Sequence, residues 1–189
     1  MDGPEIPSDA DVIKESLREP ERFAVLFDRY FAQIHRYAAA RLGHSPADDV
    51  AAETFLAAFD KRSRYDLDRP VARAWLYGIA THLIGRHWRS EVRLYRALSR
   101  TSFDGPDSGH ADQVADRVSA QQLQPQLAAG LAALSSDDRD VLLLIACAQL
   151  SYDEVALALG IPSGTVGSRL NRARKQLRQT LGQKVGSHG

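Results

Sequence analysis

The segment TSFDGPDSGHADQVAD, residues 101–116, interrupts a helical periodicity that runs through most of the remaining chain. It is rich in Gly, Ser, Pro and Asp and offers no apolar face, so it reads as a linker that splits the chain into two helical units. Each unit has to bury its own amphipathic helices, and a chain of 189 residues with 44% apolar content allows two modest cores rather than one large one. No alternating strand pattern, fixed-period repeat or long heptad run is present. The fold class expected is all-α: two small helical domains joined by a flexible linker, the C-terminal one a helix-turn-helix. The boundaries expected are an acidic tail over 1–20, a first domain over 21–100, an acidic linker over 101–120, a second domain over 121–182 and a tail over 183–189.

In the first unit, Phe23, Phe27, Phe31, Ile34, Ala38 and Leu42 recur at three- and four-residue steps and predict a helix over 21–42, stopped by Gly43. Ser45 and Pro46 then read as the N-cap and first-turn proline of a second helix, whose inward face is Val50, Thr54, Phe55 and Phe59. A third helix starts near Pro70 and carries Trp75, Ile79 and Leu83 inward. The first 20 residues fit either a flexible tail or an extra short helix. The second unit predicts helices over 121–134, 137–148, 151–159 and 163–181. Ser136 is read as the cap of the second of these, Ser151 and Glu154 as a capping box on the third, and Gly160 as its end.

Net charge is zero, but its distribution is not even. Residues 163–189 hold six Lys or Arg and no acid, whereas 43–60 hold Asp48, Asp49, Glu53 and Asp60 and no Lys or Arg. The short helix, the Gly-Ile-Pro-Ser turn and the basic helix make a helix-turn-helix. Val166, Leu170, Ala173, Leu177 and Leu181 take the buried face of the last helix. Gly164, Gly167, Ser168, Asn171, Arg172 and Lys175 lie opposite, with Arg169, Arg174 and Arg178 on the flanks. An amide and a guanidinium suit base edges in a major groove, and the flanking cations suit phosphates.

Other chemistries find little support. No apolar run approaches the roughly 20 residues of a membrane span, and the acidic N-terminus is unlike a signal peptide, so a cytoplasmic protein without membrane insertion is expected. The single Cys147 excludes an internal disulfide and reads as a buried packing thiol. His82 and His87 are five residues apart, on different helix faces, and no ligand pattern completes a metal site. No catalytic motif, and so no enzyme activity or cofactor, is expected.

LSYDEVALALGIPSGTVGSRLNRARKQLR resembles the C-terminal DNA-binding domain of sigma-70 family transcription initiation factors. ADDVAAETFLAAF (47–59) followed by ARAWLYGIATHLIGRHWRS (72–90) is similar to the N-terminal conserved domain of the two-domain extracytoplasmic-function (ECF) group. The resemblance covers roughly residues 20–182. It implies a non-enzymatic factor that binds core RNA polymerase, recognises the minus-ten and minus-thirty-five elements of promoter DNA and helps open the duplex. An anti-sigma factor is a further implied partner. A stand-alone helix-turn-helix regulator that works without polymerase is the alternative.

On this resemblance, Asp48, Asp49 and Glu53 face the polymerase. Tyr65, His82 and Trp88 are candidate minus-ten base contacts, with Arg86, Arg89 and Arg93 from an arginine stripe continuing through Arg96 and Arg100. Trp75 is assigned to the core. Gly167, Ser168, Asn171 and Arg172 occupy the minus-thirty-five reading positions, flanked by Arg169, Arg174 and Lys175; Arg172 discriminates between promoters if it binds a guanine through two hydrogen bonds, a phosphate contact being the alternative. Two residues depart from the family pattern: His82, where many relatives have Asn, and Gly167, where they have Lys or Arg. The linker acids Asp104, Asp107, Asp112 and Asp116 fit a segment that occupies an RNA channel.

Overall fold

A computed structural model describes residues 7–69, 71–101 and 130–185, with the side chains of 89–101 and 181–185 excepted. The described residues contain helices and connecting turns and no strand. Within 1–20 the short helix is what forms: α1 (Asp9–Ser16) is capped by Ser8, whose hydroxyl oxygen accepts the Asp11 N–H at 3.1 Å. Val12 and Ile13 of α1 are buried, so this part of the segment is core rather than tail. A 3₁₀ turn, Pro20–Phe23, leads into α2 (Ala24–Leu42).

Gly43 ends α2 with φ 82°, a conformation open to glycine and costly for other residues. It also fixes where α3 (His44–Lys61) begins, one residue before the expected Ser45 cap. The chain is already helical at His44, so Ser45 cannot cap. Pro46 still sits in the first turn, where no backbone N–H is required. The ring contacts Phe23–Phe59 (5.4 Å) and Phe27–Phe55 (5.0 Å) pair rising with falling residue numbers, which shows α2 and α3 to be antiparallel. The long helix α4 (Arg73–Thr101) crosses both, and Leu76, Ala80, Leu83 and Ile84 fill the space between them.

The expected helix over 121–134 lies outside the described residues as far as 129; residues 130–133 are helical. Helix α5 (Ser136–Ala146) is capped by Ser135 rather than Ser136: the Ser135 hydroxyl oxygen accepts the Asp138 N–H at 3.2 Å. Cys147 follows as the C-cap and is exposed, because the inward face of α5 is set by Val141, Leu144 and Ala148. Partial burial still raises its thiol pKa, which favours the protonated, unreactive form. Helices α6 (Tyr152–Leu159) and α7 (Ser163–Val185) complete the second unit, and α7 runs into the segment read as tail.

The two units pack together along α4 and α6. A Cβ on Gly78 would come within 2.4 Å of the Ala158 carbonyl oxygen, so the helices approach as closely as a glycine allows. A buried polar chain crosses the same seam: Arg41 donates to the Tyr37 hydroxyl (2.9 Å) and to Asp140 (2.5 Å), and Tyr37 is 2.9 Å from Thr81 Oγ1. Burial raises the Tyr37 pKa, keeping the phenol neutral within this network. Arg73 adds an ion pair to Glu154 at 3.4 Å and donates to the Ala148 carbonyl.

Candidate nucleic-acid interface and docking face

The helix-turn-helix is built by local hydrogen bonding. Ser151 accepts the Glu154 N–H at 3.2 Å while the Glu154 carboxylate accepts the Ser151 N–H at 2.8 Å, the reciprocal pair expected from the sequence. Gly160 is left-handed at φ 63° and closes α6, and the Thr165 N–H finds the Pro162 carbonyl at 2.8 Å as α7 starts. Val166, Leu170 and Ala173 are fully buried, which fixes the rotation of α7. Gly164, Ser168, Asn171, Arg172, Arg174, Lys175 and Arg178 are exposed as a result. A Cβ at Gly167 would meet only the Tyr152 ring, at 3.9 Å, so packing within the protein does not require glycine there.

Two arginines of this helix are held by the N-terminus of α5. Arg169 pairs with Asp137 at 2.8 Å. Arg172 donates through Nε to Asp138 Oδ2 (2.7 Å) and through Nη2 to Oδ1 (2.9 Å), a two-bond fork. The Asp138 side chain is 5% exposed, and the Arg172 guanidinium holds its carboxyl pKa below the ordinary value, assisted by Ser135. Sequence reading missed both acids, because they lie more than thirty residues from their partners and also serve the first turn of α5.

Two of the minus-ten candidates, His82 and Arg86, line an open groove of about 410 Å³ between α3, α4 and α6. Trp75, His82 and Arg86 line it from α4, Glu53 and Lys61 from α3, and Leu157 and Ala158 from α6. Tyr65 is brought beside it, its ring 4.9 Å from that of Trp75 and its hydroxyl donating to the Arg69 carbonyl at 2.8 Å. Partial burial and the nearby Asp9 charge push the Tyr65 pKa up to about 12. Trp75, assigned to the core from sequence, is only half-buried and shows a face to the groove. His82 is exposed, and so is Trp88, which is not among the groove residues. The side chains of Arg89, Arg93, Arg96 and Arg100 lie outside the described residues, as does the linker from residue 102.

Asp9 braces this corner. Its side chain is 4% exposed and accepts from Arg29 Nη1 (2.7 Å), the Tyr30 hydroxyl (2.6 Å) and the Ala72 N–H (2.8 Å). It therefore ties α1 to α2 and to the last loop residue before α4. No motif announces this carboxylate in the sequence.

The acidic helix α3 keeps Val50, Thr54 and Phe55 inward, as expected, and turns its acids to the surface. Asp48 accepts from or pairs with His35 Nε2 at 2.8 Å, Glu53 pairs with Arg86, and Asp49 has no ion-pair partner among the described residues. Beside the acids lie Leu56, 62% exposed, and Phe27, 40% exposed, the latter stacked on Phe31 at 4.6 Å. Phe27 is thus a surface residue rather than the core residue its helical period implies. Among the described residues no group of three or more His, Cys, Asp or Glu could hold a metal ion, and no helix is long and apolar enough to cross a membrane.

Comparison with known proteins matches the two units separately and in order. The family model described as Sigma-70 region 2 matches residues 26–99, and that described as Sigma-70, region 4 matches 125–177. The ECF RNA polymerase sigma factor SigC of Mycobacterium tuberculosis is 36% identical over 148 residues, covering 76% of this chain and 75% of its own. SigL of the same species is 36% identical over 163 residues, covering 85% and 89%. CnrH, solved in complex with the cytosolic domain of CnrY, superposes with a TM-score of 0.63 at 25% identity, covering 93% of this chain and 97% of that one. The sigma factor RpoE of Bartonella quintana, solved with the anti-sigma factor NepR, shares the fold at a TM-score of 0.60 and 23% identity, covering 84% and 96%. With both regions matched in sequence order and these relatives aligned over most of their length, the chain belongs to the extracytoplasmic-function group of sigma-70 family RNA polymerase sigma factors, which bind the polymerase and direct promoter recognition.

Proposed function

We propose that this sigma factor divides its work among three surfaces. The exposed acids Asp48, Asp49 and Glu53 of α3, with Leu56 and Phe27 beside them, dock on a basic face of core RNA polymerase. Exposed charges steer the encounter and the apolar side chains supply buried area. The domain over 21–100 also reads the minus-ten element. Tyr65, Trp75, His82 and Trp88 offer stacking planes or ring donors for bases drawn out of the duplex, and Arg86, Arg89 and Arg93 bind its backbone, which favours melting. The domain over 121–182 lays α7 in the major groove at the minus-thirty-five element. Gly167, Ser168, Asn171 and Arg172 meet base edges there, while Arg169, Arg174 and Lys175 serve the phosphates.

The observation that carries this reading is the joining, in one chain, of a capped helix-turn-helix to an exposed acidic helix. A stand-alone regulator would have no use for the second. Because polymerase fixes the spacing of the two domains, neither needs high affinity by itself. The protein is an initiation factor of the cytoplasm rather than an enzyme, and an anti-sigma factor is its third partner. The test is assembly with bacterial core RNA polymerase: the full chain co-elutes with it, and the Asp49→Lys variant, with an unchanged circular dichroism spectrum, is retained much less. Equal retention of the two proteins would remove α3 from the docking face.

A further inference from the structure

We infer that Asp137 and Asp138 are positioning residues that restrain the DNA affinity of the recognition helix, holding Arg169 and Arg172 so that DNA meets an oriented reading surface rather than a freely cationic one. The inference rests on the assignment of α7 to DNA.

The geometry distinguishes the two aspartates. Asp138 is almost fully buried, its backbone N–H bonded to Ser135 Oγ, and both of its carboxylate oxygens take donors from Arg172. The guanidinium is itself 62% exposed, so an outward group is clamped from beneath. A guanidinium has two edges that can each present a pair of parallel N–H donors. Asp138 occupies the Nε–Nη2 edge and leaves the Nη1–Nη2 edge facing out, still able to make a two-bond contact with a guanine. The neighbouring carboxylate cancels most of the field by which a free arginine draws in any phosphate. Arg172 keeps its hydrogen-bond geometry and loses its indiscriminate pull.

Asp137 acts on charge alone. It is exposed, and it draws Arg169 aside at 2.8 Å, leaving the Arg169 side chain 22% exposed. Arg174, Lys175 and Arg178 have no ion-pair partner among the described residues, so the restraint falls on two cations of the helix and spares the others. The acids in the SSDDRD segment thereby gain a role beyond the first turn of α5.

The test uses the full chain, free and assembled with core RNA polymerase, and two labelled duplexes: one carrying the upstream element shared by mapped transcription starts, the other a scramble of the same composition. Binding is followed by fluorescence anisotropy across a salt series. Asp138→Asn should bind the scrambled duplex about five- to tenfold more tightly near 0.1 M salt, steepen the dependence of log affinity on log salt by about one, and narrow the preference for the promoter duplex. Asp137→Asn, at an exposed position that carries little risk to folding, should steepen the slope similarly and lower the melting temperature only slightly. Folded variants with the wild-type slope and preference would overturn the inference and make both aspartates purely structural. A wild-type chain that shows no preference for the promoter duplex even when assembled with core polymerase would instead overturn the assignment of α7 to DNA.

Discussion

Helices α3 and α7 both carry strongly charged surfaces, and they treat their charges in opposite ways. On α3 the acids stand in water: Asp49 is unpaired among the described residues, and Asp48 and Glu53 meet a partly exposed histidine and an exposed arginine. Exposed apolar residues, Leu56 and Phe27, stand beside them. On α7 two of the arginines are drawn back onto carboxylates of a neighbouring helix, one of them buried. The contrast fits two kinds of partner. A protein surface supplies its own countercharges and rewards apolar area. DNA offers the same phosphates at every sequence, so a surface that must discriminate gains by limiting its unpaired cations.

The largest effect should come from a charge that neither surface exposes. Asp9→Ala removes the acceptor shared by Arg29, Tyr30 and the Ala72 N–H and leaves a partly buried arginine unpaired. About 3 kcal/mol of stability should be lost in urea unfolding. A loss well under 1 kcal/mol would show that burial of an acid does not separate a structural charge from a docking one.

Next comes the docking face itself. Asp49→Lys sets a cation against a basic partner and should weaken core polymerase binding by about 2 kcal/mol, roughly thirtyfold, with an unchanged melting temperature. A comparable loss of DNA binding by the same variant would break the division between the two surfaces.

Acid tests the clamp on α7 directly. The pKa of Asp138 is lower in the folded chain than its ordinary value of 3.8, so the folded state binds this proton less readily than the unfolded one. The stability from the pair is therefore fully present above about pH 4 and is lost as pH falls through the folded-state pKa. Thermal melts from pH 7 to pH 3 should show Asp138→Asn losing less stability on acidification than the wild type. Parallel curves would remove the Arg172 pair from the stability of the second domain.

The smallest effect sharpens the comparison within α7. Gly167→Ala has room for its methyl group and should add about 0.5 to 1 kcal/mol of helix stability. If promoter affinity falls at the same time in gel-shift assays, the DNA backbone approaches α7 closely at this position. Unchanged affinity would mean that the glycine costs stability and serves no contact.

Features that act over a few residues could be read from the sequence. The period of α2, the stop at Gly43, the Ser151–Glu154 box, the left-handed Gly160 and the buried face of α7 all follow from local chemistry. Where two adjacent residues could serve the same purpose, reading failed by one position: Ser135 and Ser136 can both cap, and backbone geometry chose Ser135. The turn at Gln149 was hidden because it takes φ 54° with a side chain that gives no turn signal. Phe27 shows the limit of periodicity, which places a residue on a face without saying what covers that face. Arg172 could be read as an outward arginine on a basic helix, but its carboxylate partner is 34 residues away and only tertiary structure brings them together. Asp9, the α4–α6 seam and the arginine clamps share this origin in distant contacts.

The most direct measurement of the central claim is run-off transcription with purified protein, bacterial core RNA polymerase and a genomic fragment library, followed by sequencing of the transcript starts. The account predicts starts that share two motifs at fixed spacing, reduced in the Asp49→Lys variant. Core polymerase that fails to bind the chain, or starts that share no upstream element, would contradict it.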